Sequence, residues 1–145
     1  MVEFCVRRDS ALDVGEAWRR LTLWERHGEV VPLTRVAVVA GDGGGEGTVI
    51  VARTGVGPVG FDDRMELVAW RPPRGERGGF CRLVKLGGFV VGWAEIEVRS
   101  GVGGSRVVWR EELGVRGVPR VCDPLVGWVA RWMFGRVVDR LLRGS

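Results

Sequence analysis

Apolar residues recur along this chain with two different periods, and the switches between them mark out its elements. Between Thr34 and Val115 the apolar positions alternate with polar ones or run in short blocks, the signature of strands. The pattern predicts strands over Thr34–Ala40, Thr48–Thr54, Phe61–Trp70, Phe80–Leu86, Phe89–Arg99 and Arg106–Val115, with Val2–Arg8 as a weaker first strand. Turn chemistry separates them: Gly41–Gly47, Gly55–Gly60, Gly87-Gly88 and Gly101–Ser105, plus Pro72-Pro73 followed by a polar loop, Arg74–Gly79. Short strands joined by short turns favour antiparallel neighbours.

The helical period shows in three places. Around Leu12–Glu16, Asp13 is placed to cap, Glu16 to reach back, and Leu12 to staple onto Ala17. Val14, Ala17, Trp18 and Leu21 then share a face. A second short helix is predicted over Trp24–His27, ended by Gly28 and Pro32. The longest run is Asp123–Arg143, opening on Asp-Pro and unbroken until Gly144. About twenty residues make a helix roughly 30 Å long, the width of a small domain. At helical spacing Val126, Ala130, Met133, Phe134, Val137 and Leu141 form one face. Arg136, Asp139, Arg140 and Arg143 lie opposite, but in the first half that opposite side carries Leu125, Trp128, Val129 and Trp132. This stripe is expected to be covered within the monomer, with burial in a homodimer second; left exposed, it would form an apolar patch that, with Arg131 and Arg136 beside it, suits an anionic lipid surface or an acidic partner.

Composition narrows the class. At 145 residues the expectation is a single domain spanning 1–145 that needs neither disulfide nor metal to fold. Cys5, Cys81 and Cys122 lack ligand or disulfide spacing and read as free thiols in a reducing cytoplasm. The N-terminal residues include Glu3, Arg7 and Arg8, which argues against a signal peptide, and no apolar run is long enough for an integral membrane span. The net charge is +4, yet acids and bases are interspersed and there is no basic stripe, so nucleic acid is not an expected partner. Lys85 is the only lysine among 22 basic residues.

The order of elements, with Trp24-Glu25-Arg26-His27, Val31-Pro32-Leu33, Arg53-Thr54-Gly55-Val56-Gly57-Pro58, Asp63-Arg64-Met65, Trp70-Arg71-Pro72-Pro73-Arg74 and Val108-Trp109-Arg110-Glu111-Glu112-Leu113, resembles the START-like, or SRPBCC, superfamily. It is similar to the bacterial members described as polyketide cyclase/dehydrase-like. The resemblance covers nearly the whole chain. It implies an α+β helix-grip fold: a curved seven-stranded antiparallel sheet around a long C-terminal helix, with two short helices after the first strand and an apolar cavity between sheet and helix.

Strand alternation then assigns the cavity lining. Val90, Gly92, Ala94, Ile96 and Val98 form the apolar face of the sixth strand, and Trp109, Glu111 and Leu113 share a face of the last. Phe61, Asp63, Met65, Leu67 and Ala69 share a face of the fourth. The register of the fifth is ambiguous, and the resemblance puts Cys81, Leu83 and Lys85 inside. The expected ligand-binding set is therefore Asp63, Met65, Leu67, Leu83, Lys85, Ala94, Ile96, Trp109 and Glu111 from the sheet, with Val126, Ala130, Met133, Phe134 and Val137 from the helix.

An inward charge is expensive unless paired, so Lys85 is expected to bond to Asp63 or Glu111. Those groups either sit solvated or salt-bridged near the rim, or fix a ligand's polar end. The sole histidine, His27, has no partner at metal-ligand spacing, no serine is placed for a triad, and Gly55–Gly60 matches G-x-G-x-x-G only outside a strand–turn–helix context. No metal and no cofactor are expected. The expected function is binding or carrying a hydrophobic small molecule or lipid. The alternatives are a polyketide cyclase or aromatase using the cavity carboxylates, and a protein-interaction module.

Overall fold

The computed structural model describes residues 1–75 and 77–143. Glu76, within the loop expected at Arg74–Gly79, and Gly144, expected to stop the last helix, lie outside the described residues. The elements follow the order β1 (Val2–Ser10), α1 (Val14–Thr22), α2 (Trp24–Val30), β2 (Thr34–Ala40), β3 (Val49–Val56), β4 (Val59–Arg71), β5 (Gly79–Lys85), β6 (Val90–Gly101), β7 (Gly104–Val115) and α3 (Asp123–Arg143). The strands form one 7-stranded antiparallel sheet in the order β1-β7-β6-β5-β4-β3-β2. Only β1 leaves the simple meander, returning to pair with β7, and α1 and α2 fill the connection. This is the helix-grip architecture.

Local chemistry explains most of the boundaries. Asp13 caps α1, its Oδ1 accepting from the Glu16 amide at 2.8 Å. The Glu16 carboxylate does not reach back to the cap; it accepts from Arg19 and Arg20 instead. Arg20 also donates to the Leu142 carbonyl at 2.7 Å, tying α1 to the C-terminal end of α3. Arg8 of β1 binds Asp139 at 2.8 Å and holds the same half of α3 from the other side. Beneath these polar ties Val137, Val138, Leu141 and Leu142 are buried, each contributing roughly 1.5–3 kcal/mol. Ala130 is the only residue buried to that degree in the first half of α3.

Three local expectations are corrected. First, α2 does not end at His27 but runs through Gly28 to Val30. Gly28 is a point of close approach: a Cβ there would lie 2.9 Å from the Val36 amide nitrogen of β2. Second, Gly55–Gly60 is not all turn. The ladder continues to Val56↔Val59, leaving Gly57-Pro58 as the two-residue connection. Gly57 has φ 56, the sign a type II′ hairpin needs at its first central position. Third, Ala69 does not share the inner face with Leu67. The register shifts between Leu67 and Ala69, so Trp70 pairs with the inward Cys81 and meets Trp18 at 5.1 Å. The extra residue, Val68, reverses the alternation beyond it.

The stripe on α3 is also a correction. Leu125 (64%), Trp128 (61%), Val129 (44%) and Trp132 (56%) are exposed, and neither the segment before Asp123 nor the first helices cover them. The reason is topological. α1 and α2 pack on the other flanks of α3, and the approach through Arg120–Cys122 ends where α3 begins. No helix among the described residues is long and apolar enough to cross a membrane.

Candidate functional site

Curvature of the sheet around α3 leaves a cavity of about 470 Å³ between them. Its walls come from every sheet strand except β1, together with α2 and α3 from Leu125 to Val137. Of the expected set, Asp63, Met65, Leu83, Lys85, Ala94, Ile96, Trp109 and Glu111 line it from the sheet. Val126, Ala130, Met133, Phe134 and Val137 line it from the helix. The inward register of β5 is thereby resolved, with Leu83 opposite Ala94 and Leu67. Leu67 itself is corrected: it is completely buried and is not part of the lining. Its backbone bonds to Gly47 and Thr48, which draws it into the packing beneath the β2–β3 turn.

Alternation in β2 and β3 also carries lining residues that the sequence reading passed over: Thr34 and Val36, and Ile50, Ala52 and Thr54. Their period-2 pattern was a usable signal. The hydroxyls of Thr34 and Thr54, paired across the two strands, lie 2.9 Å apart. His27 was missed for another reason. It comes from α2, and only the tertiary fold brings it to the wall, between the rings of Trp24 (5.5 Å) and Trp109 (5.8 Å). Trp109 in turn meets Phe134 at 5.4 Å, and Phe134 stacks on Phe4 at 5.5 Å, so aromatic contacts run across α2, β7, α3 and β1.

The polar groups are few and largely sealed. Lys85 donates from Nζ to Asp63 Oδ2 at 2.7 Å, and its side chain is only 5% exposed. Glu111 is buried and accepts from Trp109 Nε1 at 3.2 Å. The second oxygens, Asp63 Oδ1 and Glu111 Oε2, are buried without a protein partner. Burial pushes the Glu111 carboxyl up to about 6, against the pull of the Lys85 charge and the Trp109 hydrogen bond, with the Asp63 charge adding to the rise. Burial lowers the pKa of His27, leaving a neutral ring whose Nε2–H donates to the Leu21 carbonyl at 2.8 Å. Cys81, beside the cavity floor, is pushed up to about 12 by burial and is an inert thiol. No three His, Cys, Asp or Glu side chains cluster as a metal site requires among the described residues. What this arrangement offers chemically is apolar volume with aromatic walls, plus one buried acid that titrates near neutrality.

The cavity opens beside the first turns of α3, where Leu125 and Val129 both line it and face solvent.

No protein-family model and no curated protein sequence matches the chain. Solved structures do. The crystal structure of TTHA0849 from Thermus thermophilus aligns with a TM-score of 0.75 at 14% identity, over 97% of this chain and 94% of that one. Ara h 8.0201 aligns with a TM-score of 0.65 at 13% identity, over 98% of both chains. A point mutant of Thalictrum flavum norcoclaurine synthase, in complex with a transition-state analogue, aligns at 0.62 and 16% identity, over 97% of this chain and 94% of that one. Likeness at this level of identity shows the shared helix-grip fold and nothing further.

Proposed function

We propose that the protein binds or carries a hydrophobic small molecule or lipid in the cavity between its sheet and α3. The observation that carries this reading is the cavity itself: about 470 Å³, within the range of small-molecule sites, and almost wholly apolar in its lining. Each charged side chain makes a protein contact through one atom, Lys85 with Asp63 Oδ2 and Glu111 Oε1 with Trp109. A ligand is therefore held chiefly by burial of apolar surface, with Asp63 Oδ1 and Glu111 Oε2 as the buried polar atoms left without a protein partner. The proposed binding residues are the thirteen that line the cavity out of the expected set, joined by Trp24, His27 and Ile50. The proposed setting is the cytoplasm, supported by the free thiols of Cys5, Cys81 and Cys122. Native mass spectrometry on protein purified from its own host tests the reading. A co-purifying apolar molecule, released on denaturation, is the expected result.

A second reading, a polyketide cyclase-type enzyme, is favoured by one observation. Glu111 titrates at about 6 inside an apolar cavity, the range in which a carboxylate serves as a general base near neutral pH. The fold alone adds nothing to this, because folds of this kind host many functions. Turnover of a polyketide-like substrate that disappears in Glu111→Gln would establish it.

A further inference from the structure

The turns at the two ends of the sheet differ in chemistry, and the difference follows the cavity mouth. At the closed end the β2–β3 turn carries Asp42 and Glu46, and the β4–β5 connection carries Arg74 and Arg77. At the mouth, Gly55–Gly60 between β3 and β4 contains no polar side chain, and neither does Leu86–Val91 between β5 and β6. Val56 and Val59 flank the tip of the first turn and are exposed, as are Leu86 and Phe89 of the second. The two turns touch through the rings of Phe61 and Phe89, 5.0 Å apart. On one side Leu33 joins them, its carbonyl accepting from the Gly55 amide at 2.9 Å. Leu33 is the one non-glycine residue with positive φ (58) among the described residues, and its side chain is exposed. On the other side the Phe89 carbonyl accepts from Arg116, and the chain continues through exposed Val118 and Val121 to Leu125, Trp128 and Trp132 on α3. An apolar rim thus runs around the mouth and up the outer face of α3.

We infer that this rim docks on the surface of an anionic lipid bilayer and sets the cavity mouth against the apolar phase. Burying a rim of this extent favours the bilayer interface, where tryptophan is well accommodated. The charges beside it have the sign such a surface attracts: Arg116, Arg120 and Arg131 are exposed. Against them stand Asp62, held by Arg53 at 3.0 Å, and Asp123, half-buried at the start of α3. The first half of α3, which separates mouth from solvent, is also the half with least buried side-chain anchorage.

Co-sedimentation with large vesicles tests this, comparing phosphatidylcholine alone with phosphatidylcholine containing phosphatidylglycerol. The full chain is expected to partition onto the anionic vesicles, less so on the neutral ones, and to be released by salt. Val59→Asp and Trp128→Gln change exposed side chains, so melting should be unaltered while partitioning falls roughly tenfold or more. A protein that stays in the supernatant with anionic vesicles overturns the inference, as does equal sedimentation of folded variants. Dimerisation through the rim without vesicle binding overturns it too. Binding of an apolar probe in the absence of vesicles is read separately on the same variants, so loss of docking is not confused with loss of the cavity.

Discussion

The ammonium of Lys85 lies 2.7 Å from Oδ2 of Asp63, inside a cavity lined mostly by apolar side chains. Lys85 sits opposite Met65 in the β4–β5 ladder, and Asp63 lies two residues further along β4 on the same face. The single lysine of an arginine-rich chain is thus spent indoors, within a pair that compensates two desolvated charges.

Removing one member leaves the other charge uncompensated. Lys85→Met should therefore lower stability by about 3 kcal/mol near neutral pH, whereas Lys85→Met with Asp63→Leu should recover most of the loss. Urea unfolding of wild type, single and double variants measures both. A single variant as stable as wild type would mean that the pair is not desolvated.

Glu111 should make stability depend on pH. Its folded pKa of about 6 lies above the ordinary value of 4.5, so the folded state binds more protons between these values. Its contribution is therefore unpenalised below about pH 4.5 and falls as pH rises to 6 and beyond, by about 2 kcal/mol. Glu111→Gln should remove that component, and its stability relative to wild type should rise from pH 4 to pH 8. An unchanged difference across this range would show that the carboxyl is not buried as described.

Gly28→Ala should destabilise, although alanine is ordinarily the better helix residue by about 1 kcal/mol. The added Cβ would sit 2.9 Å from the Val36 nitrogen, and the contact is backbone on both sides, so α2 must move off β2. A loss of about 1–3 kcal/mol in chemical denaturation is expected. A gain would mean that α2 and β2 are further apart.

Much of the fold was legible because each strand carried its own period and each turn its own chemistry. β2 was predicted to the residue, and so was α3, since an uninterrupted apolar face starting at Asp-Pro leaves little freedom. Lining residues on β6 and β7 followed from alternation alone. What was not legible depended on contacts between distant segments. The bulge at Val68 hides in an unbroken apolar run, so Ala69 was assigned to the wrong face. Gly28 looked like a helix stop because its close approach to Val36 is invisible in one dimension. His27 enters the cavity only once α2 has docked. Leu125, Trp128, Val129 and Trp132 showed their periodicity plainly, but whether anything lies over them is decided by the path of the chain around α3.

The claim that the cavity is the binding site is tested most directly by titrating an apolar fluorescent probe into wild type and Ala130→Trp. Ala130 is buried on the inner face of α3 and lines the cavity, so an indole there occupies the ligand's space. Saturable binding to wild type, lost in a variant that still unfolds cooperatively, is the predicted result. Equal binding to the folded variant would contradict the account.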